Sequence, residues 1–376
     1  MKLLNKKLSF YVIVLLCAIL FLFVGFWIVT RGTSPFVHQE SPEIVTARVT
    51  EIVSFSENKF QVDQNTQVMF INIELIAEIT SRHRRGEQRA ISYSATVTPD
   101  STVGTIGVGN RIFLIAHPTH GFVFFDIVRI HNIIIIGVVF LGLILIFGRT
   151  NGLNAIITLG LTCVAIFFVF IPAILMGYSV IFAVFLLGVY TIVFTLLLVV
   201  GANKKALTAM IGCLGGLIVS GILMLIMSRL TALTGAQDGD LRQLFLFPVP
   251  INPVDIIFAG VIIGAVGAIM DVAMSISSAM WEIRIAGGEM DFATLYKAGI
   301  NIGKDIMGTM LNTLILAYIG SSLAMILVST GDSRSLIQLL NSEIIATEIL
   351  RALVGSFGML STIPLTATVS AWWYKS

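Results

Sequence analysis

The chain has 376 residues, of which 56% are hydrophobic and only 12% charged, with a formal net charge of +2. Soluble domains carry about 25% charged residues, so a water-soluble enzyme is excluded. Lys and Arg number 23 against 21 Asp and Glu, which leaves no basic excess for nucleic acid.

A transmembrane helix needs roughly 20 mostly apolar residues. Eight runs meet that requirement, at 8–29, 131–148, 152–172, 178–200, 207–229, 254–281, 306–329 and 346–373. The first follows Lys2, Lys6 and Lys7, and its exit Ile28-Val29-Thr30-Arg31 lacks the small-residue pattern of a cleaved signal. Residues 1–30 therefore read as a retained N-terminal transmembrane anchor.

Residues 31–130 change character, and strand-like alternation replaces long apolar runs. The predicted strands are Ile44–Phe55, Gln67–Ile79, Ala90–Thr98, Arg111–Ala116 and Phe122–Ile130. Breakers part them at the basic turn Ser81-Arg82-His83-Arg84-Arg85-Gly86 and at Gly107-Val108-Gly109-Asn110. Five short strands predict a small β-barrel-like domain of the OB type between helices 1 and 2. His117 and His120, with His83 and His131 elsewhere, lack the Cys or carboxylate partners of a zinc set, so no metal and no cofactor is expected. Cys17, Cys163 and Cys213 lie in apolar runs without CxxC spacing, which implies no disulfide framework.

Residues 131–376 then read as a seven-helix transmembrane domain. Basic residues in short loops set orientation. A cytoplasmic N-terminus puts Lys2, Lys6, Lys7, Arg149, Lys204, Lys205, Arg284, Lys297, Lys304 and Lys375 on the inner side. Both termini are thus expected in the cytoplasm, with residues 31–130 extracytoplasmic. Between runs six and seven, Phe292, Leu295, Tyr296, Gly299 and Ile300 recur at helical spacing. They predict a short amphipathic helix on the inner membrane surface within a cytoplasmic segment at 283–304.

Ionisable and polar side chains inside spans are costly and mark function. In the sixth run Gly264, Gly267, Asp271, Ser275, Ser278 and Glu282 fall on one helix face. In the seventh, Asp305, Thr309 and Asn312 do the same. In the eighth, Glu348, Arg351, Gly355, Gly358, Thr362 and Thr366 share a stripe, with Glu348 and Arg351 spaced as a structural ion pair. Small-residue stripes are also what close helix packing looks like in lipid. Asp271 and Asn312 are not needed for close approach, so they point to a pathway or ion site. The three stripes imply three helices that meet, with a kink or unwound turn at Pro364. Walker A, GxSxG and HExxH motifs are all missing from the sequence, and no enzyme activity is expected.

The runs Gly267–Glu282, Gly303–Gly320 and Glu348–Gly358, with Ile363-Pro364-Leu365-Thr366, resemble the YibE/F family of bacterial multi-pass membrane proteins. The resemblance extends over the N-terminal anchor and the β-rich segment. It implies a bacterial cytoplasmic membrane and a related membrane protein as hetero-oligomer partner, but no substrate. The leading expectation is a transporter or permease-like subunit with a polar path lined by Asp271, Ser275, Ser278, Glu282, Asp305, Thr309 and Asn312. The alternative is a non-transporting envelope scaffold or accessory subunit whose outer domain binds a partner or cell-wall component.

Overall fold

The computed structural model describes residues 2–30, 43–63, 66–81, 84–97, 106–117, 121–235, 239–331 and 335–374. The chain divides into two compact units, Val37–Ile144 and a second made of Met1–Phe36 with Leu145–Ser376.

The first unit is a five-stranded antiparallel sheet of β1 (Ile44–Asp63), β2 (Thr66–Ile79), β3 (Gln88–Val97), β4 (Arg111–His117) and β5 (Gly121–Ile127). The strand order is β3-β2-β1-β4-β5. The end strands approach each other, with the rings of Tyr93 and Phe124 edge-on at 4.6 Å, so the sheet nearly closes into a barrel. Period-two alternation explains why: Val45, Ala47 and Val49 of β1 and Ile71, Ile73, Leu75, Ala77 and Ile79 of β2 all point inward and are buried with Ile91, Ile112 and Leu114. The glycine turn forms as expected. Gly109 takes φ +93°, and the Gly107 N–H donates to Asn110 Oδ1 at 2.6 Å. In the basic turn, Arg84 pairs with Glu43 at 3.4 Å and lies over the Phe122 ring at 5.5 Å. His83, His120 and Thr98 lie outside the described residues, as does the side chain of His117.

β1 runs eight residues beyond its expected end at Phe55, to Asp63. Past Val49 and its bulge, the side chains of residues 50–59 are all exposed, Ile52, Val53 and Phe55 among them. With no buried face there is no alternation, so sequence pattern alone stops too early.

Six helices among the described residues are long and apolar enough to cross a membrane: Ser9–Val29, Ile130–Leu175, Val180–Val199, Lys204–Leu230, Pro253–Gly287 and Glu343–Tyr374. The first belongs to α1 (Lys2–Val29). The second, of 46 residues, takes in two of the expected runs. It comprises α2 (Ile130–Val164), interrupted at Arg149 (φ 47°, ψ −123°), a π-helical turn at Ala165–Phe170, and α3 (Ile171–Leu175). Then come α4 (Val180–Val199), α5 (Lys204–Leu230), the short α6 (Gly239–Arg242) and α7 (Pro253–Gly287). The chain ends with α8 (Phe292–Ser321), α9 (Leu323–Gly331), α10 (Leu336–Leu340) and α11 (Glu343–Tyr374).

Three expectations change here. The amphipathic segment is not a separate helix: Asp291 caps α8, which runs on for 30 residues through Lys304 and Asp305. Gly299 and Gly303 do not break it because they serve packing, against Met280 and Ile363. The seventh run in turn divides at Ser322 between α8 and α9 and is not one long apolar helix. No unwound turn occurs at Pro364 either, since α11 is assigned as continuous helix through it.

The second unit is built around α7, whose buried face packs on α4, α5, α8 and α11. Where α5 crosses α11, glycine and hydroxyl residues interlock. A Cβ on Gly212 would meet Thr366 Oγ1 at 1.9 Å, one on Gly216 would meet Thr362 Oγ1 at 2.0 Å, and one on Gly358 would meet Ser220 Oγ at 1.7 Å. The same small-residue logic drives helix association wherever lipid offers no hydrophobic gain. At one end of this pair a buried hydroxyl clip joins three helices. Thr208 and Ser277 share a hydrogen bond of 2.7 Å, and each lies 2.8 Å from Tyr374 Oη. Lys205 and Glu282 form an ion pair at 2.6 Å beside the clip.

Candidate functional site

Asn252 caps α7 by accepting from the Val254 N–H at 3.1 Å, and Pro253 takes the first helical position, where its missing donor costs nothing. The helix then runs 35 residues with Asp271 near its middle. Ile262, Ala265, Ile269, Ala273 and Ile276 are fully buried. Asp271 comes two residues after Ile269, which is about 200° around the helix. It lies on the exposed side with Gly260, Gly264, Gly267 and Ser275, while Ser278 is half-buried. Tyr318 of α8 closes one end of this face: a Cβ on Gly264 would stand 2.5 Å from its Oη. At Gly267 the face is open, and a Cβ there would have nothing within 4 Å.

The remaining expected residues do not join this face. Glu282 is held by Lys205. Asp305, Thr309 and Asn312 are exposed on α8, roughly opposite the Gly299 and Gly303 side that packs on α7 and α11. Among the described residues no hydrogen bond or ion pair links Asp271 or Ser275 to Asp305, Thr309 or Asn312. The three helices meet as expected, but through Val272 and Ile276 of α7, Leu295 of α8 and Met359, Ile363 and Ala367 of α11, whereas the polar stripes of α7 and α8 face outward. Close packing is made through Gly299 and Gly303 on α8 and through Ala265 and Ala273 on α7, whose own glycines Gly260, Gly264 and Gly267 stay on the Asp271 side.

The stripe of α11 does pack inward, with Gly358, Thr362 and Thr366 over α5 and Gly355 towards Leu314 and Tyr318 of α8. Glu348 and Arg351 form the expected pair, with Arg351 Nη1 donating to Glu348 Oε1 at 2.6 Å. Glu348 Oε2 and Arg351 Nε are buried without a hydrogen-bond partner among the described residues. Nearby Glu343 receives the Thr234 and Gly235 N–H groups and the Thr234 hydroxyl, the last at 2.9 Å, which ties the loop after α5 to the start of α11.

A further set of residues escapes a search for charges. A cavity of about 310 Å³ lies between α2, α4 and α7, and Thr158, Thr162, Thr191 and Thr195 line it together with Gly188 and Gly267. Thr191 is only 9% exposed, and among the described residues its hydroxyl makes no hydrogen bond. Thr158 donates to the Ala155 carbonyl at 3.0 Å. The sequence signal is a pair of hydroxyls four residues apart, repeated in two neighbouring spans, which places each pair on one helix face. Gly267 belongs to both the cavity wall and the Asp271 face, so the two features adjoin.

Among the described residues no group of three or more His, Cys, Asp or Glu is placed to hold a metal ion. No curated protein and no solved structure matches the chain. A family model described as YibE/F-like protein matches residues 136–376, a range that contains every residue of the Asp271 face and of the threonine cavity, while the first helix and the barrel precede it. The chain belongs to the YibE/F family.

Proposed function

We propose that this chain is a permease-like subunit of the bacterial cytoplasmic membrane, with its polar path along the Asp271 face of α7. In this reading the chain crosses the membrane eight times. The 46-residue helical stretch counts as two crossings that meet at Arg149, and α8 with α9 forms the seventh. Both termini lie inside and the barrel lies outside, in accord with the basic residues of the short loops. The order β3-β2-β1-β4-β5 with β3 beside β5 fits an OB-type barrel.

One observation carries the proposal: a carboxylate stands on the open face of α7, midway along the helix. An Asp at that depth costs about 2.5–3.5 kcal/mol when it faces hydrocarbon. A hydrated groove removes that cost, and Gly267 and Ser275 on either side leave room for one. The polar face of α8, with Asp305, Thr309 and Asn312, is assigned to contact with a related membrane subunit. No enzymatic step and no cofactor enters the account.

The test is Asp271→Asn, which keeps shape and hydrogen bonding while removing the charge. Membrane abundance should stay normal, while the variant should fail to complement deletion of the gene. Normal abundance with full complementation would reject the path. The second reading, an envelope scaffold, draws on the uncovered apolar residues Ile52, Val53 and Phe55 of β1, a surface suited to a partner. Polar substitution there that abolishes complementation, while Asp271→Asn does not, would favour it.

A further inference from the structure

We propose that the threonine cavity between α2, α4 and α7 is a binding site for a small uncharged molecule that carries hydroxyl or amide groups on an apolar frame. The inference rests on the permease reading above and deepens it by naming what the path accepts.

Three observations lead to this class. First, among the described residues no ionisable side chain lines the cavity; its walls are aliphatic apart from the four threonines and two glycines. An ion placed there would lose its hydration without a counter-charge, a penalty that neutral solutes escape. Asp271, one turn beyond Gly267, is outside the lining.

Second, Thr191 is nine-tenths buried, yet its hydroxyl has no hydrogen-bond partner among the described residues and its helix offers it an aliphatic neighbourhood. The hydroxyl oxygen is reachable from the cavity and not sealed in the packing, so an occupant can pair with it directly. A hydroxyl both donates and accepts. Hydroxyl and amide groups, which do the same, therefore suit the four threonines better than a pure donor or acceptor.

Third, the size is bounded. About 310 Å³ lies at the small end of ligand pockets, which span about 300–1,000 Å³. Gly267 lines the cavity and is itself exposed, and a side chain there would meet nothing within 4 Å. The same glycine forms part of the Asp271 face, so a solute passing along that face meets the cavity where the α7 wall has no side chain.

The experiment uses the full chain in lipid vesicles, with Cys17, Cys163 and Cys213 each replaced by Ala and a single thiol introduced as Thr191→Cys. Thr195→Cys serves as the second variant should the first not accumulate. The thiol is exposed to methyl methanethiosulfonate, which is uncharged, and to its trimethylammonium-ethyl and sulfonatoethyl relatives, each rate normalised to free cysteine. The uncharged reagent should react at least tenfold faster than either ion. Filling the mouth with Gly267→Ile should slow it at least tenfold, and molar propane-1,2-diol should slow it at least twofold while potassium chloride does not. Equal reaction with the cation, slowing by potassium chloride, no slowing by the diol, no effect of Gly267→Ile, or no reaction at all would each overturn the proposal. None of these outcomes bears on Asp271→Asn complementation, so the site and the path fail separately.

Discussion

Replacing glycine by alanine at two places in the helical unit should have opposite effects, and the difference measures how tightly α5 and α11 are joined. At Gly212 a new Cβ would stand 1.9 Å from Thr366 Oγ1, 2.9 Å from its Cβ and 3.1 Å from its Cα. Rotating the Thr366 side chain moves the hydroxyl but not the Cα, so relief requires the helices to part. Overpacking of this kind costs about 1–3 kcal/mol. At Gly267 a Cβ would meet nothing within 4 Å, so only the helix propensity of alanine acts, a gain of about 1 kcal/mol. That gain is common to both positions and cancels in the comparison. Gly212→Ala should therefore be less stable than Gly267→Ala by about 1–3 kcal/mol. Equilibrium unfolding of the full chain in mixed micelles measures this difference. Thr366→Ala in the Gly212→Ala background should recover little, because the close backbone approach persists. A difference below about 0.5 kcal/mol, or one of opposite sign, would refute the interlocked packing of these helices.

Other outcomes follow from the same geometry. Tyr374→Phe should destabilise the full chain by about 0.5–1.5 kcal/mol in mixed micelles, because it removes one hydroxyl of the clip and leaves Thr208 and Ser277 still paired at 2.7 Å. Arg351→Ala should cost about 1–3 kcal/mol by leaving the half-buried Glu348 without its partner, and Arg351→Met combined with Glu348→Gln should recover most of that loss, read from the same unfolding curves. In the barrel, the Ile127 N–H and then Arg129 hold the Asp126 carboxyl below its ordinary value. A depressed folded-state pKa stabilises above the unfolded value, about 3.9, and that contribution is lost as pH falls through the depressed one. Thermal unfolding of a soluble fragment of residues 40–130, which retains Arg129, should show a cooperative β transition, and its acid sensitivity below about pH 4 should shrink in Asp126→Asn.

Much of the architecture is legible in composition and period, and the exceptions share a physical origin. The apolar runs locate the helices because lipid requires them, and Arg149-Thr150-Asn151-Gly152 marks where α2 is interrupted. The strand segments are legible because burial on one face enforces alternation, and the pattern of β1 fades where the side chains of residues 50–59 are all exposed. The direction of each polar stripe is another matter. In an apolar helix the packed face and the lipid face share one composition, and glycine serves either. Thus Gly299 and Gly303 set the inner side of α8, and Asp305 follows to the outside. Neutral hydroxyls are the least visible, since Thr158, Thr162, Thr191 and Thr195 look like ordinary helix residues until three helices bring them to one cavity. The clip of Thr208, Ser277 and Tyr374 joins positions up to 166 residues apart, which no local pattern reports.

The central claim, that the Asp271 face of α7 is hydrated, is tested most directly by a thiol placed at Ser275, one turn from Asp271 and exposed on the same side. In the full chain with its native cysteines replaced, Ser275→Cys should react with a membrane-impermeant charged maleimide. Ile222→Cys, on an exposed apolar stretch of α5, should stay unreactive as the lipid-facing control. Reaction at Ser275→Cys at least tenfold above the Ile222→Cys control is the expected result. Equal protection of both thiols would place the Asp271 face out of water and contradict the polar path.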